Sequence, residues 1–439
     1  MTAGTQPDTC RFSGTYRRVG YPTQTFAFNT GRMPSALPPG DPAPPDGRLP
    51  ESALAQNRRP LGFYIHVPFC ASRCGYCDFN TYTAEELGPG VSRGTYADSV
   101  LAELRLARSV LSANFPPVST VFFGGGTPTL LPADHLGLIL AEIADEFGVA
   151  PDAEVTTEAN PETVTPAYLD RLLAAGFTRI SLGMQSAVGH VLKVLDRQHR
   201  PRRAVEAVAE AHSAGFDQVN LDLIYGTPGE TDSDWQASID AAVGSGADHI
   251  SAYALIVEDG TPLARKIAGG VLDAPDDDVL ADRYLQADDA LRANGFRWYE
   301  VSNWARRPEA ECRHNRLYWS GGNWWGAGPG AHSHVGDVRW WNVKHPSRYA
   351  SALDAGRSPA AGREMLGERA QLTERLMLEV RMREGLDLGT LPAAATLHAR
   401  QCVIWGLAER LPVFAGRLVL TQRGRLLADA VVRDLLDVL

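Results

Sequence analysis

The stretch YIHVPFCASRCGYCDFN, Tyr64 to Asn80, sets Cys70, Cys74 and Cys77 in a C-x3-C-x2-C array. Three close thiols in a reducing compartment suggest a metal centre. A four-iron cluster is normally held by four cysteines, so three would leave one iron open to another ligand. Zinc would need a fourth protein ligand, and His66 precedes Cys70 inside an apolar run at no zinc-finger spacing. The other cysteines, Cys10, Cys312 and Cys402, are too sparse and uneven for a disulfide framework in a chain of 439 residues.

Further polar residues follow at intervals. FFGGGTPTLL, Phe122 to Leu131, lacks the lysine of a phosphate loop and does not match G-x-G-x-x-G. Its three glycines still allow a ligand to approach the backbone closely. In TTEANPETVT the carboxylate of Glu158 could accept hydrogen bonds from an ammonium or ribose group, with Asn160-Pro161 turning the chain away. Gln185, Arg197 and Asp222 are each weak signals alone. Cys312, His314, His332 and His334 offer a rival zinc set whose spacing matches no finger class.

These residues need elements to hold them. Six β-rich runs (FYIHV at Phe63, TVFFGG at Thr120, EVTTEA at Glu154, RISLGM at Arg179, QVNLDLI at Gln218, HISAYAL at His249) alternate with amphipathic helical patterns at 95–113, 134–147, 166–176, 203–215 and 234–246. Such alternation predicts a parallel α/β sheet, open or curled into a barrel. Chemistry in these folds sits at the C-terminal ends of the strands, where the cysteines, the glycine loop, Glu158 and Gln185 all fall. Residues 1–58 read as a disordered Pro/Gly-rich leader, 59–295 as the barrel, 296–360 as an aromatic and glycine-rich connecting segment, and 361–439 as a C-terminal mostly helical domain. The last part of that domain, VFAGRLVLTQRGRLLADAVVRDLL, predicts a β-hairpin followed by a helix, in the manner of a winged helix.

A net charge of -10 argues against a general grip on nucleic acid, so the winged-helix pattern is given a packing role. No apolar run approaches the roughly 20 residues of a membrane span, and no secretory h-region is present. The expected location is the cytoplasm.

The cysteine array, glycine loop and Glu158 strand resemble the radical S-adenosylmethionine superfamily. That resemblance implies a partial (β/α)6 barrel, a 4Fe-4S cluster on Cys70, Cys74 and Cys77, and S-adenosylmethionine on the open iron, where reduction can generate a 5′-deoxyadenosyl radical. YxHxPFC, GGGTPT, the glutamate strand, GxQS, the arginine and DLIYGxP occur in the order found in oxygen-independent coproporphyrinogen III oxidases and their homologues. By that likeness Tyr64, Tyr76, Gly125, Gly126, Thr127, Glu158, Gln185, Arg197 and Asp222 are S-adenosylmethionine contacts, and a second bound molecule has been proposed for the oxidases.

Two departures matter. The oxidases carry one more cysteine where this chain has Phe79, and ECRHNRLYW contains H-N-x-x-Y-W as His314, Asn315, Tyr318 and Trp319. Both features are similar to the HemW branch of heme chaperones. The implied function is to bind heme and deliver it to haemoproteins, with respiratory, membrane-associated recipients, a peripheral membrane location and a homodimer as an admissible assembly. His314 and Tyr318 share a face if the segment is helical, and imidazole is a common axial ligand of heme. The alternatives are a core histidine among packing aromatics at that motif and, for the chain, the oxidase activity itself, a radical decarboxylation to protoporphyrinogen IX. A plain electron carrier is disfavoured because it needs no open iron.

Overall fold

The computed structural model describes residues 40–87, 92–111 and 114–439. The leader expected over residues 1–58 therefore lies largely outside the described residues, but its portion from residue 40 packs onto the fold. Asp41 bridges to Arg363, Ala53 is buried in the main core, and Leu49 and Leu54 pack against that core. Its apolar side chains reach the sheet despite the prolines, so this portion is ordered and is not part of a disordered leader.

Six parallel strands follow one another in space as in sequence: β1 (Leu61–Val67), β2 (Val118–Gly125), β3 (Val149–Ala159), β4 (Arg179–Gln185), β5 (Gln218–Tyr225) and β6 (His249–Ala254). All six predicted strands are present. The helices between them include Tyr96–Val110, Ala133–Phe147, Pro166–Ala174, Arg203–Ala214 and Asp232–Gly244, each within a few residues of its periodic pattern. The α/β fold is the expected one, and the sheet stays open. β7 (Arg297–Glu300) and β8 (Asn303–Ala305) continue it antiparallel beyond β6, while β9 (Asn323–Ala327) pairs parallel to β1 and carries β10 (His332–Val335), β11 (Val338–Asn342) and β12 (Ala360–Met365) outward. The aromatic and glycine-rich segment thus supplies strands that prevent β1 from closing on β6.

Successive strand residues face opposite sides, and the two sides differ sharply in chemistry. Phe63, Ile65, Val121, Phe123, Val155, Ile180, Leu182, Val219, Leu221 and Ile250 join the helices in the main core. The alternate positions carry Tyr64, His66, Thr120, Glu154, Glu158, Ser181, Asn220, Asp222, His249 and Ser251. This inner face is where chemistry can be held, and the helix Arg313–Trp319 packs across it.

The C-terminal region is helical, with a separate hydrophobic cluster that includes Leu376, Val380, Ala399, Cys402, Val431 and Leu435. Its expected hairpin does not form. Arg417–Leu418 pairs instead with Leu386–Asp387, and the would-be second arm is the helix Gln422–Leu426, started by the Thr421 side chain accepting from the Gly424 amide. A hydroxyl cap of this kind favours helix over strand.

Candidate cofactor site at the strand ends

The cysteine loop leaves β1 and is fixed to the fold at several points. The Gly75 amide donates to the Leu195 carbonyl at 3.1 Å, and the Cys70 amide to the Tyr82 carbonyl at 3.0 Å. Beyond the cysteines, the Asn80 amide group donates to the carbonyls of Pro329 and Lys344, each at 2.9 Å. His66 joins loop to strand. Its Nε2 lies 2.9 Å from the Asn80 carbonyl, which can only accept, so Nε2 carries the proton and Nδ1 accepts from the Tyr64 hydroxyl at 3.0 Å.

Cys70, Cys74 and Cys77 are free and partly accessible. Burial raises the Cys70 thiol above its ordinary range and pushes Cys77 up to about 12, with the neighbouring cysteines adding to both shifts. Crowded thiols that resist ionisation without a cation are a suitable donor set for iron, which would hold them as thiolates. Among the described residues no three His, Cys, Asp or Glu side chains converge as they would on a single ion. A 4Fe-4S cluster would take each thiolate on a separate iron and so would not need such convergence. The same finding removes the zinc set Cys312, His314, His332 and His334: His332 stacks on Trp341 and His334 meets Trp324 edge-on.

The glycine loop wraps the cysteine loop. The Gly126 amide donates to the Val67 carbonyl at 2.8 Å and the Thr127 amide to the Phe69 carbonyl at 2.7 Å. A Cβ on Gly126 would lie 2.4 Å from the Phe69 carbonyl oxygen, and Gly125 has φ +108°, so side chains are excluded at both positions. The Gly125 amide donates to Glu158 at 3.0 Å. Glu158 sits deep on the inner face yet can be reached by solvent. Burial, and then the nearby Asp222 carboxylate, push its carboxyl up to about 8. Asp222 accepts from Ser181 at 2.8 Å and Asn220 at 2.7 Å, both neutral donors. Asp222 also lies within electrostatic reach of the buried Arg179, but neither carboxylate forms a salt bridge among the described residues, and two such neighbours fit a positively charged guest.

Arg197 connects the far side. It donates to the Gln185 side-chain Oε1 at 2.6 and 2.9 Å and to Cys74 Sγ at 3.4 Å. Gln185 ends β4 at φ 57°, a left-handed conformation held by the two bonds to its side chain. Tyr76 lies within electrostatic reach of Arg197, Cys74, Cys77 and Asp222. The structure thus places the three cysteines and most of the nine expected S-adenosylmethionine contacts around the strand ends, with Tyr64 and Asp222 mid-strand on the adjoining inner face. Phe79 is 46 % exposed beside them.

The H-N-x-x-Y-W segment is helical, and its residues divide between two directions. His314 is buried with both ring nitrogens occupied: Nδ1 lies 2.8 Å from the Thr120 hydroxyl and Nε2 2.7 Å from the Tyr318 hydroxyl. Its ring stacks on Phe122, and burial lowers its pKa to about 3. Asn315 points instead to Glu300, at 3.4 Å, whose carboxyl burial pushes up to about 8. Tyr318 lies within electrostatic reach of Glu158, and Tyr64 within reach of both.

Glu154 secures this helix, accepting from the amides of Arg313 at 2.9 Å and His314 at 3.1 Å and from the Cys312 thiol at 3.5 Å. A hydrogen-bonded chain then runs from Asp222 through Asn220 to His249 Nδ1 (2.6 Å), from His249 Nε2 to the Tyr299 hydroxyl (2.8 Å), and on to the Cys312 amide (3.1 Å). Glu154, His249 and Tyr299 escape a motif-by-motif reading. Their one signal is polar residues at every second strand position, as in NLDL and HISAY.

The sequence model of the Radical SAM superfamily matches residues 64–242. The chain is 57% identical over 378 residues to the protein named Heme chaperone HemW of Mycobacterium tuberculosis, covering 86% of this chain and 95% of that protein. It is 34% identical to the protein of the same name from Synechocystis, over 76% of this chain and 81% of that one. Among solved structures, the coproporphyrinogen III oxidase HemN of Escherichia coli superposes with TM-score 0.75 at 21% identity, over 90% of this chain and 95% of that chain, a likeness of fold. Motifs, fold and sequence identity agree, and the chain belongs to the HemW family of the radical S-adenosylmethionine superfamily.

Proposed function

We propose that this chain is a heme chaperone that holds a 4Fe-4S cluster on Cys70, Cys74 and Cys77 and S-adenosylmethionine at the open iron, binds heme, and passes it to haemoproteins. Superfamily membership implies the cluster and S-adenosylmethionine. When bound, the cluster supplies low-potential electrons. The chain's own residues supply the setting. Gly125, Gly126 and Thr127 offer a backbone cradle, Glu158 and Asp222 offer negative charge to an ammonium group, and Arg197, Gln185, Tyr64 and Tyr76 border the cysteines.

The observation that carries the reading is that the H-N-x-x-Y-W helix lies across the inner face with Tyr318 beside Tyr64 and Glu158, so part of the proposed heme motif borders the proposed cofactor residues. His314, Asn315, Tyr318 and Trp319 are the proposed heme contacts. Iron ligation at His314 Nε2 requires the Tyr318 hydroxyl to release it. The recipients are membrane-associated respiratory haemoproteins, reached by a cytoplasmic protein acting at the membrane periphery, as a monomer or a homodimer.

The test is a heme titration of anaerobically reconstituted protein, with and without S-adenosylmethionine, followed by the Soret band. Stoichiometric binding that weakens in His314→Ala while the cluster content stays constant is expected. Repeated turnover of coproporphyrinogen III under reducing conditions would instead establish the oxidase reading.

A further inference from the structure

Among the described residues, the C-terminal region holds most of the strongly exposed large apolar side chains. Leu411 is 82 % exposed, Ile404 76 %, Leu397 65 % and Phe414 65 %, which are four of the five most exposed large hydrophobic residues among those described. They form one surface. Leu397, Arg400 and Ile404 are spaced i, i+3, i+7 on the helix Ala393–Ile404 and so share a face. Ala395, Ala399 and Cys402 of the same helix are buried in the local cluster. Arg400 and Arg410 both stand over the Phe414 ring at 5.8 Å, which joins this helix to Arg410–Phe414. Trp405, also half exposed, follows directly.

The charge around this surface departs from that of the whole molecule. Residues 393–427 contain Arg400, Arg410, Arg417, Arg423 and Arg425 against the single acid Glu409, in a chain of net charge -10. Arg417 and Arg425 are engaged within the fold, with the Glu384 carbonyl and with Asp288. Arg400, Arg410 and Arg423 form no ion pair among the described residues; the first two border Phe414, and Arg423 reaches the Trp405 carbonyl at 3.5 Å.

We propose that this face docks on an anionic lipid surface, with Leu397, Ile404, Leu411 and Phe414 entering the headgroup boundary and Arg400, Arg410 and Arg423 pairing with lipid phosphates. Apolar side chains ringed by arginine are the combination that binds such interfaces. Nucleic acid would use the arginines alone and leave the aliphatic groups in water. The inference names the contact surface for the peripheral location proposed above. Its test contains no heme, so either reading can fail without the other.

The full chain is sedimented with vesicles of phosphatidylcholine alone and with vesicles containing phosphatidylglycerol. Binding to the anionic vesicles, weakened by salt, is expected. Loss of Arg400 or Arg410 to Gln should weaken it by about fivefold each, and Leu411→Ser with Phe414→Ser by on the order of tenfold or more. Val271→Ser, at an exposed site outside this surface, should bind as the parent does, and melting temperatures should not change. Equal or absent binding to the two vesicle types overturns the proposal, as does unchanged binding by the Leu411/Phe414 variant. So does a dimer that the same variant dissociates, which would make the face an interface between copies, or salt-sensitive binding to duplex DNA without vesicle binding.

Discussion

The strand-end rim and the helix across the inner face both contain cysteine, histidine, tyrosine and carboxylate, yet they leave their polar groups in opposite states. At the rim, Cys70, Cys74 and Cys77 are free, and Glu158 and Asp222 lie close enough to repel while each accepts from neutral donors. At the helix, His314 has both nitrogens bonded and Glu154 takes up two amides and a thiol. Groups left with open valences can receive a ligand as they stand. Groups that satisfy one another must first exchange a partner, so the proposed heme site differs from the cofactor site in needing a rearrangement before it binds.

The contrast can be broken most directly at the cysteines. Cys74→Ala should lose the bound iron and sulfide of the reconstituted protein altogether while circular dichroism and melting behaviour remain those of the parent. An unfolded variant would show that the rim is structural after all. The next effect lies at the helix, where Glu154→Ala leaves two buried amides without an acceptor and removes the charge near buried Arg179. A destabilisation on the order of 3–5 kcal/mol is expected by denaturant titration, and a value under about 1 kcal/mol would show that the helix is not held in this way.

The most gradual effect is a pH dependence. The Glu158 carboxyl is raised from 4.5 to about 8 in the fold, so between these values the unfolded chain has released a proton that the native chain retains. Native stability without ligand should therefore fall as pH rises through this window. A cationic guest reverses the preference by favouring the carboxylate, so affinity for S-adenosylmethionine should rise with pH up to about 8, by less than tenfold per unit, and then level off. Glu158→Gln should flatten both profiles. An equally steep binding profile in that variant would assign the proton elsewhere.

What could be read from the sequence divides along a similar line. The six strands were legible because each is a short β-branched or aromatic run closed by turn residues, and the rim followed because strand C-terminal ends are adjacent in such a sheet. The outer strands β7 to β12 were hidden because their aromatic and glycine-rich sequence shows little alternation. The arrangement around His314 could not be read, since its partner Thr120 lies 194 residues away and Glu154 lies 160 away. Motif spacing gave the helix and its i, i+4 pair. It did not show that this pair is His314 bonded to Tyr318, which closes the nitrogen proposed for iron.

The anchoring of the cysteine loop bears on the order of maturation. Its bonds from Gly75 to Leu195 and from Asn80 to Pro329 and Lys344 are made by polypeptide groups alone, so Cys74→Ala is expected to keep them. In metal-nucleated domains the apo chain is unfolded and binding energy becomes folding energy. The proposed cluster would be received by a loop whose bonds to Leu195, Pro329 and Lys344 do not involve the metal.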